Sequence, residues 1–188
     1  MAHDLLLSGG TLITPGGRLE ADLAVSAGRI AELLPPGSAA PAARTLDCRG
    51  LTVLPGVIDT QVHFREPGLE HKEDLESGSR AAVLGGVTAL FEMPNTRPST
   101  STAEALADKL ARAAGRMWTD HAFYVGATAE NADHLGELEL LPGCCGVKLF
   151  MGASTGDLLV SDDATLRRVL AHGRRRVAIH AEDEPRMQ

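Results

Sequence analysis

The residues able to do chemistry gather first in a short run, Gln61-Val-His-Phe-Arg65, directly behind an apolar segment from Val57 to Asp59. Extended backbone sends residues i, i+2 and i+4 to one face. Gln61, His63 and Arg65 are therefore expected to point together, an amide, an imidazole and a guanidinium at the carboxyl end of a strand. Neutral imidazole is a common nitrogen donor to zinc, and a guanidinium offers a planar fork suited to a carboxylate. Comparable positions recur farther on: Asn95 follows the apolar run 87–93, Lys148 lies inside Gly-Val-Lys-Leu-Phe-Met, and His180 closes the run 176–180. Burial disfavours a charged amine, so a lysine among apolar neighbours tends to lose its proton. A neutral amine can combine with CO₂ to give an anionic carbamate able to bridge two cations. His63 and His180 are thus candidate metal ligands, and Lys148 is either a third or a lysine snorkelling from a strand edge. Arg65 is a candidate substrate-binding residue, and Asn95 is either another or a turn residue after Pro94.

Other polar groups read as structural. His3, His71, His121, His134 and His172 are taken as surface or structural histidines. Glu66, Glu70, Lys72, Glu73 and Asp74 read as loop charges and the acidic first turn of a helix. The run Gly152-Ala-Ser-Thr-Gly156 bears glycines but lacks the Gly-Lys-Ser/Thr ending of a phosphate-binding loop.

The elements that must position these residues follow a strand, loop, helix rhythm. Helices are expected over 72–84, stopped by Gly85-Gly86, over 101–115 with Ser101 and Glu104 as a capping box, weakly over 129–140, and from Ser161 or Asp162 to His172. Strands are expected at 57–59, 87–93, 121–126, 146–151 and 176–180. Strands alternating with helices imply a parallel α/β sheet. No Gly-rich phosphate turn follows the first strand, as a doubly wound sheet usually requires. Chemistry drawn from several strand ends instead predicts a (β/α)₈ barrel, which needs roughly 250 residues. Residues 55–188 supply about five of its eight units, so the chain is expected to be the first part of a longer barrel. Residues 1–54 read as a small antiparallel β-sheet domain, with strand pieces on either side of Gly9-Gly10 and turns at Pro15-Gly-Gly17 and Ala27-Gly28.

Composition sets the bounds. The 188 residues are 44% hydrophobic and only 3% aromatic, so the core is built from Leu, Val and Ala. No segment approaches the ~18 apolar residues of a membrane span, and the N-terminus lacks the basic and apolar regions of a secretory signal. A formal charge of −7 argues against nucleic acid or an anionic membrane as partner. Three cysteines, Cys48, Cys144 and Cys145, form no disulfide framework, which points to a reducing cytoplasm.

Taken together, Pro55-Gly-Val-Ile-Asp-Thr-Gln-Val-His-Phe-Arg-Glu-Pro-Gly68, Gly85-Gly-Val-Thr88, Glu92-Met-Pro-Asn-Thr96, Gly146-Val-Lys-Leu-Phe-Met-Gly152 and Ile179-His-Ala-Glu182 resemble, in order and spacing, the cyclic amidohydrolases, and within them the dihydroorotases. The resemblance implies metal-dependent interconversion of dihydroorotate and N-carbamoyl-L-aspartate in pyrimidine synthesis, with one or two Zn²⁺ ions. It would make His63 a ligand of one zinc, a carboxylated Lys148 the bridge and His180 a ligand of the second, with Arg65 and Asn95 on the substrate carboxylate. A further His ligand and the general-base Asp of the family lie on later strands, beyond Gln188. Where the family usually has His-x-His, this sequence has Gln61-x-His63, which weakens the first metal position. Other readings open at this stage are an allantoinase or dihydropyrimidinase, and a non-catalytic dihydroorotase-like scaffold for aspartate transcarbamoylase. A small-molecule substrate and a homo-oligomer are expected.

Overall fold

The computed structural model describes residues 2–152, 157–183 and 186. Of the run 152–156 weighed above as a phosphate loop, only Gly152 is among them. The chain divides into two compact units, Met1–Pro55 and Gly56–Gln188.

In the first unit, β1 (His3–Thr14), β2 (Gly17–Ser26), β3 (Arg29–Leu34), β4 (Ala42–Asp47) and β5 (Thr52–Val53) build one sheet in the order β3-β2-β1-β4, with β5 also on β1. The β1/β2 and β2/β3 pairs are antiparallel, whereas β4 and β5 run parallel to β1. The expected antiparallel sheet is therefore a mixed one. The connection 35–41 crosses back instead of closing a hairpin, so the next strand enters in the direction of β1. Gly9-Gly10 does not separate two strands either. The β1/β2 ladder bulges between Leu7 and Gly10, and Gly9 takes φ 75°, a left-handed conformation that suits glycine. Asp22, fully buried, accepts from Gly9 N at 2.8 Å, Ser38 N at 3.1 Å and Ser8 Oγ at 3.2 Å. These donors, the Gly9 amide foremost, hold its carboxyl below the usual carboxylate range.

The second unit runs β6 (Val57–Val62), α1 (Leu75–Leu84), β7 (Val87–Glu92), α2 (Ala103–Ala113), β8 (Asp120–Gly126), a 3₁₀ turn (Ala132–His134) leading into α3 (Leu135–Leu138), β9 (Cys144–Phe150), α4 (Asp163–His172) and β10 (Val177–His180). All neighbouring strands are parallel, in the order β10-β9-β8-β7-β6. This curled five-strand sheet with its helices is the partial barrel expected from the sequence. One face of the strands packs on the helices: Leu90, Phe123 and Val125 meet Leu75, Leu106 and Ala113, while Val147 and Leu149 meet Leu135 and Val169. By alternation Phe91, Tyr124, Lys148 and Phe150 fall on the opposite face.

Side-chain caps set the helix starts. Asp74 accepts from Ser77 N at 2.7 Å, so α1 begins at Leu75 and not at Lys72. Thr102, and not Ser101, caps α2 by accepting from Ala105 N at 3.2 Å. Asp162 caps α4 in the same way, at 2.8 Å from Thr165 N. The weak helix expected over 129–140 shrinks to the 3₁₀ turn and one α turn. Asn131 is the reason: its Oδ1 accepts from Thr128 N and its Nδ2 donates to Ser101 O and Gly126 O, each at 2.8 Å, which ties the segment to the end of β8 and the loop before α2 instead of a longer helix. Among the described residues no helix is long and apolar enough to cross a membrane.

Candidate active site

Val62, at the end of β6, packs toward the helices, so its neighbour Gln61 faces the other way, while the ladder shifts register between Asp59 and Val62. Gln61 is exposed, and its backbone N–H donates to Asp59 Oδ1 at 3.0 Å. The alternation expected to carry on to Arg65 stops at the strand end. Arg65 takes φ 66°, in the left-handed region, and leaves the extended line of Gln61.

The residue after it explains the bend. Glu66 is only 4% exposed, accepts from Arg116 Nη1 at 2.8 Å and Nη2 at 3.1 Å, and also accepts from Leu75 N at 3.0 Å. Glu66 is thus a buried anchor, which corrects its reading as a loop charge. Arg97 N donates to Pro67 O at 2.9 Å and closes the same loop against the end of β7. Arg65 stays close enough that its positive charge acts on both His63 and Glu92.

His63 is brought to Asn95 by the β6/β7 ladder. Val62 pairs with Glu92, and Met93 N donates to Val62 O at 2.9 Å. His63 Nδ1 then lies 2.8 Å from Asn95 Oδ1. Burial of the ring pushes His63 toward its neutral form; the Asn95 bond opposes that, and the charges of Arg65, Lys148 and Lys109 add to it. Asn95, expected on the substrate, is 8% exposed and held against the imidazole.

Lys148 is 2% exposed, and burial lowers its affinity for a proton. Its Nζ sits 4.8 Å from the Phe150 ring centroid, and the His180 ring lies 5.9 Å from the same ring. Phe150 and His180 are register partners on β9 and β10, so Lys148 and His180 reach one phenyl ring from one face. His180 is half-buried, and its Nε2 lies 3.2 Å from Glu182 Oε1. Strand pairing thus sets Lys148 opposite Ala178 and His180 opposite Phe150, with both Lys148 and His180 against the Phe150 ring. It also brings His63 beside Asn95, and the charge of Lys148 is felt at His63. Among the described residues no three His, Cys, Asp or Glu groups close into a cation cage.

One feature of the site escaped sequence reasoning. Glu92 and Lys109, 1% and 0% exposed, form an ion pair behind the end of β7. Lys109 Nζ also donates to Met93 O at 3.0 Å and lies 5.3 Å from the Phe123 ring centroid. Burial pushes the Glu92 carboxyl up to about 7 and the Lys109 ammonium down, each opposed by its partner. The sequence did carry a signal: Lys109 interrupts the helical apolar spacing of Leu106, Leu110 and Ala113.

A parallel half-barrel with imidazoles and a buried lysine toward its strand ends defines a class, that of (β/α) barrels whose polar groups gather at the carboxyl face of the sheet. Residues 52–184 match the amidohydrolase family, and the chain belongs to it. Over 97% of its length it is 41% identical to an allantoinase of Deinococcus radiodurans, and over 98% it is 36% identical to an allantoinase of Bacillus velezensis. In each case it spans 41% of the relative's length. Among solved structures, the L-hydantoinase (dihydropyrimidinase) of Arthrobacter aurescens superposes with a TM-score of 0.89 at 31% identity, covering 97% of this chain and 42% of that one.

Proposed function

We propose that the complete polypeptide hydrolyses a ring C–N bond of a cyclic ureide of the allantoin or hydantoin class, with His63, Lys148 and His180 holding zinc at the strand ends. One observation carries the reading: a 2%-exposed lysine and two histidines stand within two residues of the carboxyl ends of three strands of one half-barrel. The names of the relatives at 36–41% identity direct it to ureides in preference to dihydroorotate.

The donor chemistry suits a divalent metal. With Nδ1 of His63 turned to an acceptor oxygen, its Nε2 keeps a lone pair. Lys148 has no carboxylate partner among the described residues, and burial favours its neutral amine, the form that takes up CO₂ and becomes an anionic ligand. When bound, zinc lowers the pKa of its water toward ~7 and polarises the ring carbonyl. The chain's own groups then bind and orient. Arg65 offers a guanidinium fork, and Asn95 offers its Nδ2 hydrogens to a ring oxygen. Water adds to the carbonyl carbon, the C–N bond breaks, and the ring nitrogen leaves with a proton.

Arg65 favours a second reading, dihydroorotate, because a ring bearing a carboxylate gives a guanidinium a partner. A substrate panel separates the two. Zinc-loaded complete polypeptide is assayed with allantoin, hydantoin, dihydrouracil and dihydroorotate. The expected result is the highest kcat/KM for a ureide without a carboxylate. Dihydroorotate at the top would replace the first reading with the second, and no ring opening with any of the four would sink both.

A further inference from the structure

We infer that Asn95 is a positioning residue, whose side-chain oxygen fixes the tautomer of His63 and so makes that histidine able to hold a cation. The inference rests on the metal reading above and departs from the assignment of Asn95 to substrate alone.

A neutral imidazole carries one N–H and one lone pair. An amide oxygen only accepts, so Asn95 Oδ1, 2.8 Å from His63 Nδ1, requires the hydrogen on Nδ1 and leaves the lone pair on Nε2. With the amide reversed, Nδ2 would donate to Nδ1, the proton would move to Nε2, and that nitrogen could ligate nothing. Amide orientation and metal competence are therefore one choice.

The fold holds Asn95 where it can make that choice. Asn95 is 8% exposed, in a turn whose Pro94 O accepts from Thr96 N and Thr100 N, each at 2.9 Å. Thr96 Oγ1 donates to Pro98 O at 2.9 Å, and Gly126 N donates to Thr100 O at 2.8 Å, which ties the turn to the end of β8. On the other side Lys109 Nζ grips Met93 O, two residues before Asn95, and is itself backed by Glu92. The ladder contact Met93 N to Val62 O brings in the residue just before His63. Imidazole and amide thus project from two strand ends pinned to each other. Outer partners of this kind change metal affinity by about 10–100-fold in known metal sites.

The test measures zinc affinity of the complete polypeptide by chelator competition, beside substrate KM, for the unmodified protein, Asn95→Ala and Asn95→Asp. Aspartate keeps an acceptor for the Nδ1 hydrogen but loses the amide donors. The expected pattern is zinc affinity lowered about 10–100-fold in Asn95→Ala and restored in Asn95→Asp, with KM raised in both. Unchanged zinc affinity in a folded Asn95→Ala, with only KM altered, overturns the inference and returns Asn95 to substrate binding. Absence of tight zinc binding by the unmodified protein overturns the metal reading itself, a separate result. Should the alanine variant not fold, ¹⁵N spectra of the unmodified, metal-free protein decide: a hydrogen on Nδ1 of His63 is expected, and a hydrogen on Nε2 refutes it.

Discussion

At the scale of single residues, Gln61 and Arg65 carry the sharpest consequences. An amide oxygen is a poorer donor to zinc than an imidazole nitrogen, so Gln61 leaves the first metal position short of one strong ligand. Gln61→His is expected to add a tightly held zinc, about one further equivalent retained after dialysis and counted by elemental analysis. Two tight equivalents already present in the unmodified protein would contradict this. Gln61 is exposed on the strand face opposite the core, so the change costs little packing. Arg65 bears on substrate. If the ring carries a carboxylate, Arg65→Ala removes a charge-assisted pair worth about 1.5–3 kcal/mol, and KM rises by about one to two powers of ten with kcat little changed. For a ring without a carboxylate the same variant shifts kcat/KM by only a few-fold. Steady-state kinetics on allantoin and dihydroorotate separate the two outcomes.

At the scale of elements, the end of β7 is the hinge of the site because a buried charge pair stands behind it. Removing one member of such a pair leaves the other desolvated and uncompensated, which costs about 3–5 kcal/mol. Lys109→Met is therefore expected to lower the urea midpoint of unfolding sharply. Adding Glu92→Gln should recover most of the loss, since the orphaned carboxylate is gone. Equal destabilisation by the single and double variants would show that packing of the lysine stem, and not charge, holds α2 to the strand. The loop after β6 has its own anchor. Gly78 in α1 approaches so near that a Cβ there would collide with the Phe64 ring, while Glu66 receives Arg116 and the first amide of α1. Helix, loop and strand end are thus fixed as one piece.

At the scale of the whole molecule, the second unit has two sheet edges, β6 and β10, whose outer sides pair with no strand among the described residues. Val57 and Ile58 on β6 are 51% and 57% exposed, and Ile179 on β10 is 42% exposed. Unpaired apolar edges recruit other strands. Residues 1–188 expressed alone are expected to associate, eluting as oligomer or aggregate in size-exclusion chromatography with multi-angle scattering, and to open no ureide ring. A monodisperse, active monomer of these residues would refute both expectations. The chain spans 41% of the length of the curated allantoinases it matches, which is the physical setting of that prediction.

The sequence alone determined the strand and helix rhythm and the parallel sheet, because alternation, caps and turn residues act over a few neighbouring positions, and the resemblance of its ordered motifs gave the family. The apolar runs 87–93 and 146–151, each ending one residue past the observed strand ends at Glu92 and Phe150, and the glycine stop at Gly85 were legible for that reason. Tertiary structure decided what depends on partners far along the chain. Glu66 lies 50 residues from Arg116, Asn95 lies 32 from His63, and Lys109 is paired to a carboxylate on another element. It also decided the parallel entry of β4 and β5 and the turn of Arg65 out of the strand line. A side chain's neighbours across the fold fix its burial, and burial sets the strength of every charge and hydrogen bond it makes.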